Sequence, residues 1–387
     1  MYKCSTAFHD AVREGNKQMP LLIFRDAVFT ETDIDVDTGI EFDDNFNMEE
    51  NLAIGQVTAN EIRFSLFNDD RLLNNYEFGE FTALLGVLLR TRTYVQRGTA
   101  MVITQRATYI GSNEEPYLQR DGTAVDVQPA FPVAALLGYD GKVWAFSADG
   151  QYKVYNDATG ADVTEANPVN AFMLNKSLRW AGMGIFYNAS TRFLAIYRGG
   201  TCEQYEFVPL GVFDAERPNV PDQIRIDIRA YDRMKKFDDD MPSAEELGIS
   251  YPTTLRDLRN KLCDYVDVPY RTASFINQNA TVDDPATDSG RVTMRTVLGW
   301  IAEAAGSNAR FDRDGYLVMD WLRFSQDDEP VLEMDEHDYT EFGPYWYRTK
   351  AITKLCNRNT RSGEDTVLGD RKQTYLIQDN PFLAGAT

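Results

Sequence analysis

Between Ile224 and Trp321 the spacing of apolar residues changes from two to 3.6 and back to two, and each change falls beside a turn or cap signal. Ile224, Ile226, Ile228 and Ala230 alternate with Arg225, Asp227, Arg229 and Tyr231, which predicts a strand with one apolar face and one wet face. Asp238-Asp239-Asp240 and Pro242 break it. After Tyr251-Pro252-Thr253-Thr254, the pair Thr254 and Asp257 reads as a capping box, and Leu255, Leu258, Leu262 and Val266 recur on one helical face. A second helix is predicted over Thr293–Ala305, with Met294, Val297, Leu298, Ile301, Ala302 and Ala305 on its stripe and Gly306 as its stop. Ala309–Met319 then reads as a hairpin with an Asp314-Gly315 turn. The block predicts a compact α+β unit that holds other parts together, and nothing in it looks catalytic.

Upstream, Ser5 or Thr6 caps a short predicted helix with Ala7, Phe8, Ala11 and Val12 on one side and Gly15 past its end. Leu21–Arg25 predicts a strand. The next stretch holds nine carboxylates and no Lys or Arg: Glu31, Asp33, Asp35, Asp37, Glu41, Asp43, Asp44, Glu49 and Glu50. Interleaved with Ile34, Val36, Ile40, Phe42 and Phe46, they predict a solvated strand face with its loops, a surface that repels polyanions. Asp33, Asp35 and Asp37 also have the opening spacing of a calcium loop. Gly39, however, comes one place late, and Asp44 stands where the closing Glu belongs. Ile62, Phe64 and Leu66 share a face of the next strand, and Leu84–Tyr94 reads as a buried strand or two.

From about Gly98 to Gly200 the texture changes to short alternating runs punctuated by Asp121-Gly122, Asp140-Gly141, Asp149-Gly150 and Gly199-Gly200. Lys142–Phe146 with Gln151–Tyr155 predicts one hairpin, and Gly184–Tyr187 with Phe193–Tyr197 a second. The aromatics of this segment read first as the core of a small β domain. The competing reading is a sugar-stacking platform, with Trp144, Tyr152, Trp180 and Tyr187 as contacts. Beyond Trp321 come acidic loops, Asp327-Asp328-Glu329 and Asp335-Glu336-His337-Asp338, and then strands near Ala351–Leu355 and Thr374–Ile377.

At 387 residues, two or three domains are expected. The net charge of −21 argues against a basic nucleic-acid groove, which needs Lys and Arg to displace counterions. Cys4, Cys202, Cys263 and Cys356 lie far apart without a CxxC pair, and they read as free core thiols of a chain made in a reducing cytoplasm. No signal peptide is read at the start, and the apolar runs Leu84–Leu89 and Val133–Leu137 are too short to cross a bilayer. His9 and His337 stand apart from any cysteine or second histidine, and neither a nucleophile elbow nor a phosphate-binding glycine loop occurs. Among 60 Asp and Glu, acid pairs at glycosidase spacing arise by coincidence. No catalytic residue, cofactor or metal is assigned.

Four stretches of the 224–321 block carry a family resemblance: Ala230-Tyr231-Asp232-Arg233-Met234, Tyr251-Pro252-Thr253-Thr254-Leu255, Val297-Leu298-Gly299-Trp300-Ile301-Ala302 and Arg313-Asp314-Gly315-Tyr316-Leu317. With Ala59–Asp70 upstream, they resemble the tail-tip hub of tailed bacteriophages, the family of baseplate hub proteins and of the N-terminal part of tail-associated lysins. The likeness covers roughly residues 1–100 and 205–387 and excludes the segment between them. It implies an α+β, mainly β fold: two tail-tube-like β-barrel domains, an α+β connector and an inserted β domain. The boundaries expected are 1–97 with 205–245 for the first barrel, 98–204 for the insert, 246–322 for the connector and 323–387 for a second barrel, possibly incomplete.

What the resemblance implies for function is a homotrimeric, non-enzymatic ring that joins a sixfold tail tube to a threefold tip. Its partners would be distal tail and tail-tube proteins, the tape measure protein and tail fibre or tip proteins, with viral DNA passing through. The chain would be made in the host bacterial cytoplasm, sit at the virion tail tip and insert in no membrane. Edge strands such as Ile224–Tyr231 would be buried between subunits, and the nine acids of the 31–50 stretch are candidates to line the channel. The alternatives are a host-surface carbohydrate-binding module on a tail scaffold and a virion hydrolase.

Overall fold

The computed structural model describes residues 4–35, 37–43, 54–97, 100–103, 108–110, 116–120, 123–126, 135–139, 142–146, 151–156, 159–166, 171–174, 184–188, 192–198, 201–221, 224–284, 292–320, 354–358, 365–368, 374–378 and 380–383. Helix α1 (Thr6–Arg13) starts where the Ser5 side chain accepts a hydrogen bond from Phe8 N and ends before Gly15, whose φ is +70°. The alternating segments that follow become β1 (Gln18–Phe24), β2 (Val28–Phe29), β3 (Ile40–Asp43), β4 (Glu61–Phe67), β5 (Glu80–Arg97) and β6 (Ala100–Ile103). Next come β7 (Thr108–Ile110), β8 (Pro116–Arg120), β9 (Thr123–Asp126), β10 (Ala135–Tyr139), β11 (Lys142–Phe146) and β12 (Tyr152–Asn156). The series continues with β13 (Ala171–Leu174), β14 (Gly184–Asn188), β15 (Phe193–Arg198), β16 (Thr201–Ala215) and β17 (Arg225–Asp232).

Eleven of these strands form one sheet. Its main path runs β13-β14-β15-β16-β17-β4-β3, and β5 takes the other edge of β16, with β1 beyond it and β2 on β1. The sheet is rolled. Phe64 on β4 and Phe81 on β5 have ring centroids 5.7 Å apart, although β17 and β16 lie between their strands. Three steps across a flat sheet would be about 14 Å. Phe42 on β3 meets Phe213 on β16 at 6.0 Å for the same reason. Inside the roll, Leu22, Phe24, Phe29, Ile34, Ile62, Leu66, Ile226, Ile228 and Ala230 complete the core. The hydrogen-bonded ladder does not close among the described residues, so the expected first barrel is a rolled, mostly antiparallel sheet with β2 and β3 at its margins.

One expectation is corrected here. β17 is not an edge: β4 pairs with Arg225–Tyr231, β16 pairs with Ala230–Asp232, and Asn219 bridges to Asp227 on the remaining flank. Part of the 98–204 segment joins the large sheet. β16 crosses the expected boundary at 204/205 without a break, and β13, β14 and β15 extend the large sheet from it. Ile185, Leu194 and Ile196 share a second core with Met19, Leu21, Leu84, Tyr205 and Phe207, on the sheet face opposite the first. β1 therefore buries both faces. Within the same segment, β7-β8-β9 and β10-β11-β12 form separate three-stranded sheets, and both predicted hairpins are present.

The 3-10 turn Arg233–Asp238 packs with the connector, Met234 and Phe237 being fully buried in its core. Its helices are α2 (Ala244–Leu247), α3 (Leu255–Tyr265) and α4 (Met294–Ala304). Strands β18 (Thr253–Thr254) and β19 (Thr281–Val282) pair beside them, as do β20 (Asn308–Phe311) and β21 (Leu317–Asp320). Thr254 accepts from Asp257 N at the start of α3, but the reciprocal capping box forms instead at Ser243 and Glu246, where the side chain is one methylene longer. Leu255, Leu258, Leu262, Val297, Leu298, Ile301, Phe311 and Leu317 make the core, and Leu383 from the far end of the chain joins it.

Of the expected second barrel, residues 321–353 lie outside the described residues. Strands β22 (Lys354–Arg358), β23 (Asp365–Leu368) and β24 (Thr374–Gln378) form a small sheet in which β22 and β24 run parallel. Because β14 and β15 share a core with β1, β5 and β16, Leu194→Ala should destabilise the rolled sheet by about 2–5 kcal/mol. Urea unfolding would read this; a loss under about 1 kcal/mol would instead show that residues 171–198 fold on their own.

Candidate functional site

The region where the rolled sheet meets the connector is built from neighbouring residues of the motif Tyr231-Asp232-Arg233-Met234. Asp232, 3% exposed, accepts from Met234 N at Oδ1 (2.9 Å) and from Asn60 N at Oδ2 (2.9 Å), while its own N–H donates to Asn60 O (3.0 Å). Arg233 forks onto Glu80 of β5, with Nε at 2.8 Å and Nη2 at 2.6 Å, and its Nη1 donates to the Gly315 carbonyl (2.9 Å). Arg233 thereby holds the Glu80 carboxyl below the ordinary carboxylate range. Gly315 is required there: its φ is +80°, and a Cβ would lie 2.8 Å from Val212 Cγ2. Residues 55–57 add a third seam. Gly55 N donates to Ser307 O (2.9 Å), Gln56 N to Asn308 Oδ1 (3.0 Å), and Ala309 N to Gln56 O (2.9 Å).

The wet face of β3, β4 and β17 carries a second constellation. Register places Glu41, Arg63 and Arg229 in one row, so two arginines stand directly opposite each other. Such like-charge pairs repel. Glu61 resolves the conflict by accepting from Arg229 at both oxygens (2.5 and 2.9 Å) and also from Arg63 Nε. The hydrogen bonds from Arg229, with Arg63 adding to them, pull the Glu61 carboxyl down to about 2. The guanidinium of Arg229 and the ammonium of Lys235 both lie over the Tyr231 ring, at 4.9 and 4.6 Å. A groove of about 660 Å³ runs over this face, floored by Arg63, Ser65, Asp227 and Arg229 and walled by Thr38 and Glu41 on one side and Glu216, Arg217 and Asn219 on the other.

The acidic stretch divides once folded. Of the acids expected to line a channel, Asp33 and Asp35 are 3% and 7% exposed in the single chain. Asp33 accepts from Thr30 N and Oγ1 (2.8 and 3.2 Å), and Asp35 accepts from Asp37 N (3.0 Å). A short carboxyl facing its own backbone N–H groups makes a turn. Glu31 pairs with Lys17 at 2.9 Å. Asp37, Glu41 and Asp43 are exposed, and Asp44, Glu49 and Glu50 lie outside the described residues. Trp144 and Tyr152 fall on neighbouring strands β11 and β12, and Tyr187 falls on β14 of the large sheet; Trp180 and His337 lie outside the described residues. Cys4, Cys263 and Cys356 are free thiols, and Cys4 is only half-buried.

Sequence reasoning missed the junction and the arginine row. Their residues were visible as the wet half of an alternation, but only the pairing of β4 with β17 puts Glu61 within reach of two guanidinium groups.

No family model and no curated protein matches the sequence. Among solved structures, the chain is similar to the 43 kDa tail protein of prophage MuSo2 from Shewanella oneidensis, at 14% identity and a TM-score of 0.30. The match covers 52% of this chain and 66% of that one, so the chain spans just under two thirds of that protein's length. This is a distant structural similarity to a phage tail protein, and it is too slight to carry function. Among the described residues, no helix is long and apolar enough to cross a membrane.

Two outcomes are expected from this geometry. Glu61 is folded at about 2 against an ordinary 4.5, so its contribution is complete above 4.5 and is lost as pH falls toward 2. Thermal melts of Glu61→Gln should therefore be lower than wild type at pH 7 and should change less between pH 5 and 2.5. Arg233→Ala removes the Glu80 fork and the Gly315 bond together and should cost about 2 kcal/mol, read by urea unfolding.

Proposed function

We propose that this chain is a structural hub protein of a phage tail tip, acting as a mechanical joint without chemistry of its own. The observation that carries this reading is that the separate stretches resembling the hub family meet in space. Glu61–Phe67 pairs with Arg225–Tyr231, Asp232 is bonded to Asn60, and Arg233 grips Gly315. A set of weak motifs dispersed over the chain acquires one meaning when they form a single joint between a rolled sheet and an α+β unit. Around that joint the residues are engaged in backbone bonds and ion pairs, which suits load transfer.

In the working particle, three copies would form a ring, with each rolled sheet docking on the tail tube and the connector on the tip. Among the described residues, Asp37, Glu41 and Asp43 are the exposed members of the acidic stretch. In a ring they would face the channel and repel the duplex, which carries a charge about every 1.7 Å. An acidic wall acts over about 8 Å at physiological salt, enough to keep DNA sliding rather than bound. Light scattering on the purified chain tests the reading: a species of three times 44.0 kDa is expected at high micromolar concentration. A stable monomer under those conditions would overturn it.

A further inference from the structure

Glu303 sits at the end of α4, where the helix dipole already disfavours a negative charge, and neighbouring segments cover it from two sides. On one side lies the backbone of Gly55: a Cβ there would come within 2.0 Å of Glu303 Cγ. On the other side is Asn380, 1% exposed, which donates from Nδ2 to Glu303 Oε2 (2.6 Å) and to the Trp300 carbonyl (3.1 Å). Asn380 opens the short segment that follows β24. Its Oδ1 accepts from Phe382 N (2.9 Å), the Phe382 ring meets Trp300 edge-on at 6.0 Å, and Leu383 enters the connector core.

Among the described residues, the groups around this carboxyl are neutral. Residues 54–57 are Ile-Gly-Gln-Val, residues 380–383 are Asn-Pro-Phe-Leu, and Ser307 and Asn308 follow the helix. From the 275–280 turn, Asn277 donates to the Ala304 carbonyl (2.7 Å). Among the described residues no cation pairs with Glu303, and its one hydrogen-bond partner is an amide. Covering a carboxylate without a counter-charge is costly, and the cost vanishes on protonation or on uncovering.

We propose that Glu303 is a proton-linked clasp: as the neutral acid it keeps residues 380–383 docked on α4, and as the carboxylate it lets them go. The sign follows from burial. Burial pushes the docked carboxyl up to about 7 while the Asn380 bond pulls the other way, against 4.5 for the ordinary group. Docking is therefore strongest below 4.5, weakens as pH rises to about 7, and is level above it. The two proton affinities differ by up to about 300-fold, which bounds the change in the docking equilibrium.

Hydrogen exchange on the intact chain, corrected for intrinsic rates and read in peptides covering 374–387, tests this between pH 5 and 8.5. Protection of 380–383 should fall with rising pH between pH 5 and about 7, by no more than about 300-fold, and be level above that, while peptides from β17 and α3 stay constant. In Glu303→Gln the protection should be high and independent of pH. A pH-independent wild type overturns the proposal, as does the same fall in the variant. So does a fall shared by α3, which would mean that the whole connector loosens. Should Glu303→Gln fold poorly, Glu303→Met supplies the same comparison, and the wild-type series alone already decides whether the release is local.

Discussion

β5 and β16 stay paired from Glu80 opposite Asp214 to Thr93 opposite Thr201, a ladder long enough to belong to both halves of the sheet. One edge of β16 takes β15 along its first residues and β17 along its last, while the far edge of β5 takes β1. The ladder shifts register twice, between Gln204 and Tyr205 and between Pro209 and Gly211. Such bulges increase local twist, and Pro209 has no N–H to give to a ladder. Glycines occupy the tight places. A Cβ at Gly211 would lie 2.7 Å from the Phe213 ring, and one at Gly86 would lie 3.2 Å from Tyr205 Cβ. With those shifts, Phe213 turns into the core inside the roll while Tyr205 fills the core on the other face.

Features that depend on near neighbours were legible in the sequence. Ser5, Thr254 and Thr293 cap their helices as their side chains require, Gly15 and Gly306 end theirs at positive φ, and the Asp-Gly turn closes β20 onto β21. The hairpins β11–β12 and β14–β15 follow for the same reason. Features that depend on distant pairing were not legible. The glycine-rich texture of residues 98–200 marks turns, but turn signals do not say which strands a hairpin will join. That is why β14 and β15 read as part of a separate domain yet complete a core with Met19 and Leu21. The acidic stretch misled in another way. Asp33 and Asp35 look like wet positions of an alternation, but an Asp side chain is short enough to accept from backbone N–H groups nearby, and both are buried in a turn.

A net charge of −21 suggests a surface dominated by repulsion, yet many of its acids are committed internally. Glu206 accepts from the N–H and hydroxyl of Ser5, tying α1 to β16. Lys17 holds Glu31 at 2.9 Å and Glu203 at 3.3 Å, and Glu203 also accepts from the hydroxyl of Tyr205 (2.6 Å). Glu61 and Glu80 each take an arginine fork. The net charge already counts these pairs, so the excess resides in the remaining acids, and exposed ones stand at Asp69, Asp70, Asp238, Asp239 and Asp240. The local field depends on where the exposed acids stand and on where an assembly points them.

The junction shows why particular residues are needed to make a joint stiff. Asp232 satisfies Met234 N and Asn60 N with two oxygens of one carboxylate, and a longer side chain would overshoot Asn60. Arg233 binds two elements at once because its guanidinium is planar: one edge faces Glu80 on β5, and Nη1 faces the Gly315 carbonyl. A lysine would supply a point charge and choose one partner. Sliding the connector along the rolled sheet would have to break the fork, the Gly315 bond and the Asn60 pair together, since all three hang from adjacent residues. Tilting it would meet the 55–57 seam on β20, held separately by Gly55, Gln56 and Ala309. Two attachments at different places on the connector resist rotation as well as translation, so force applied to either body reaches the other with little hinge motion between them.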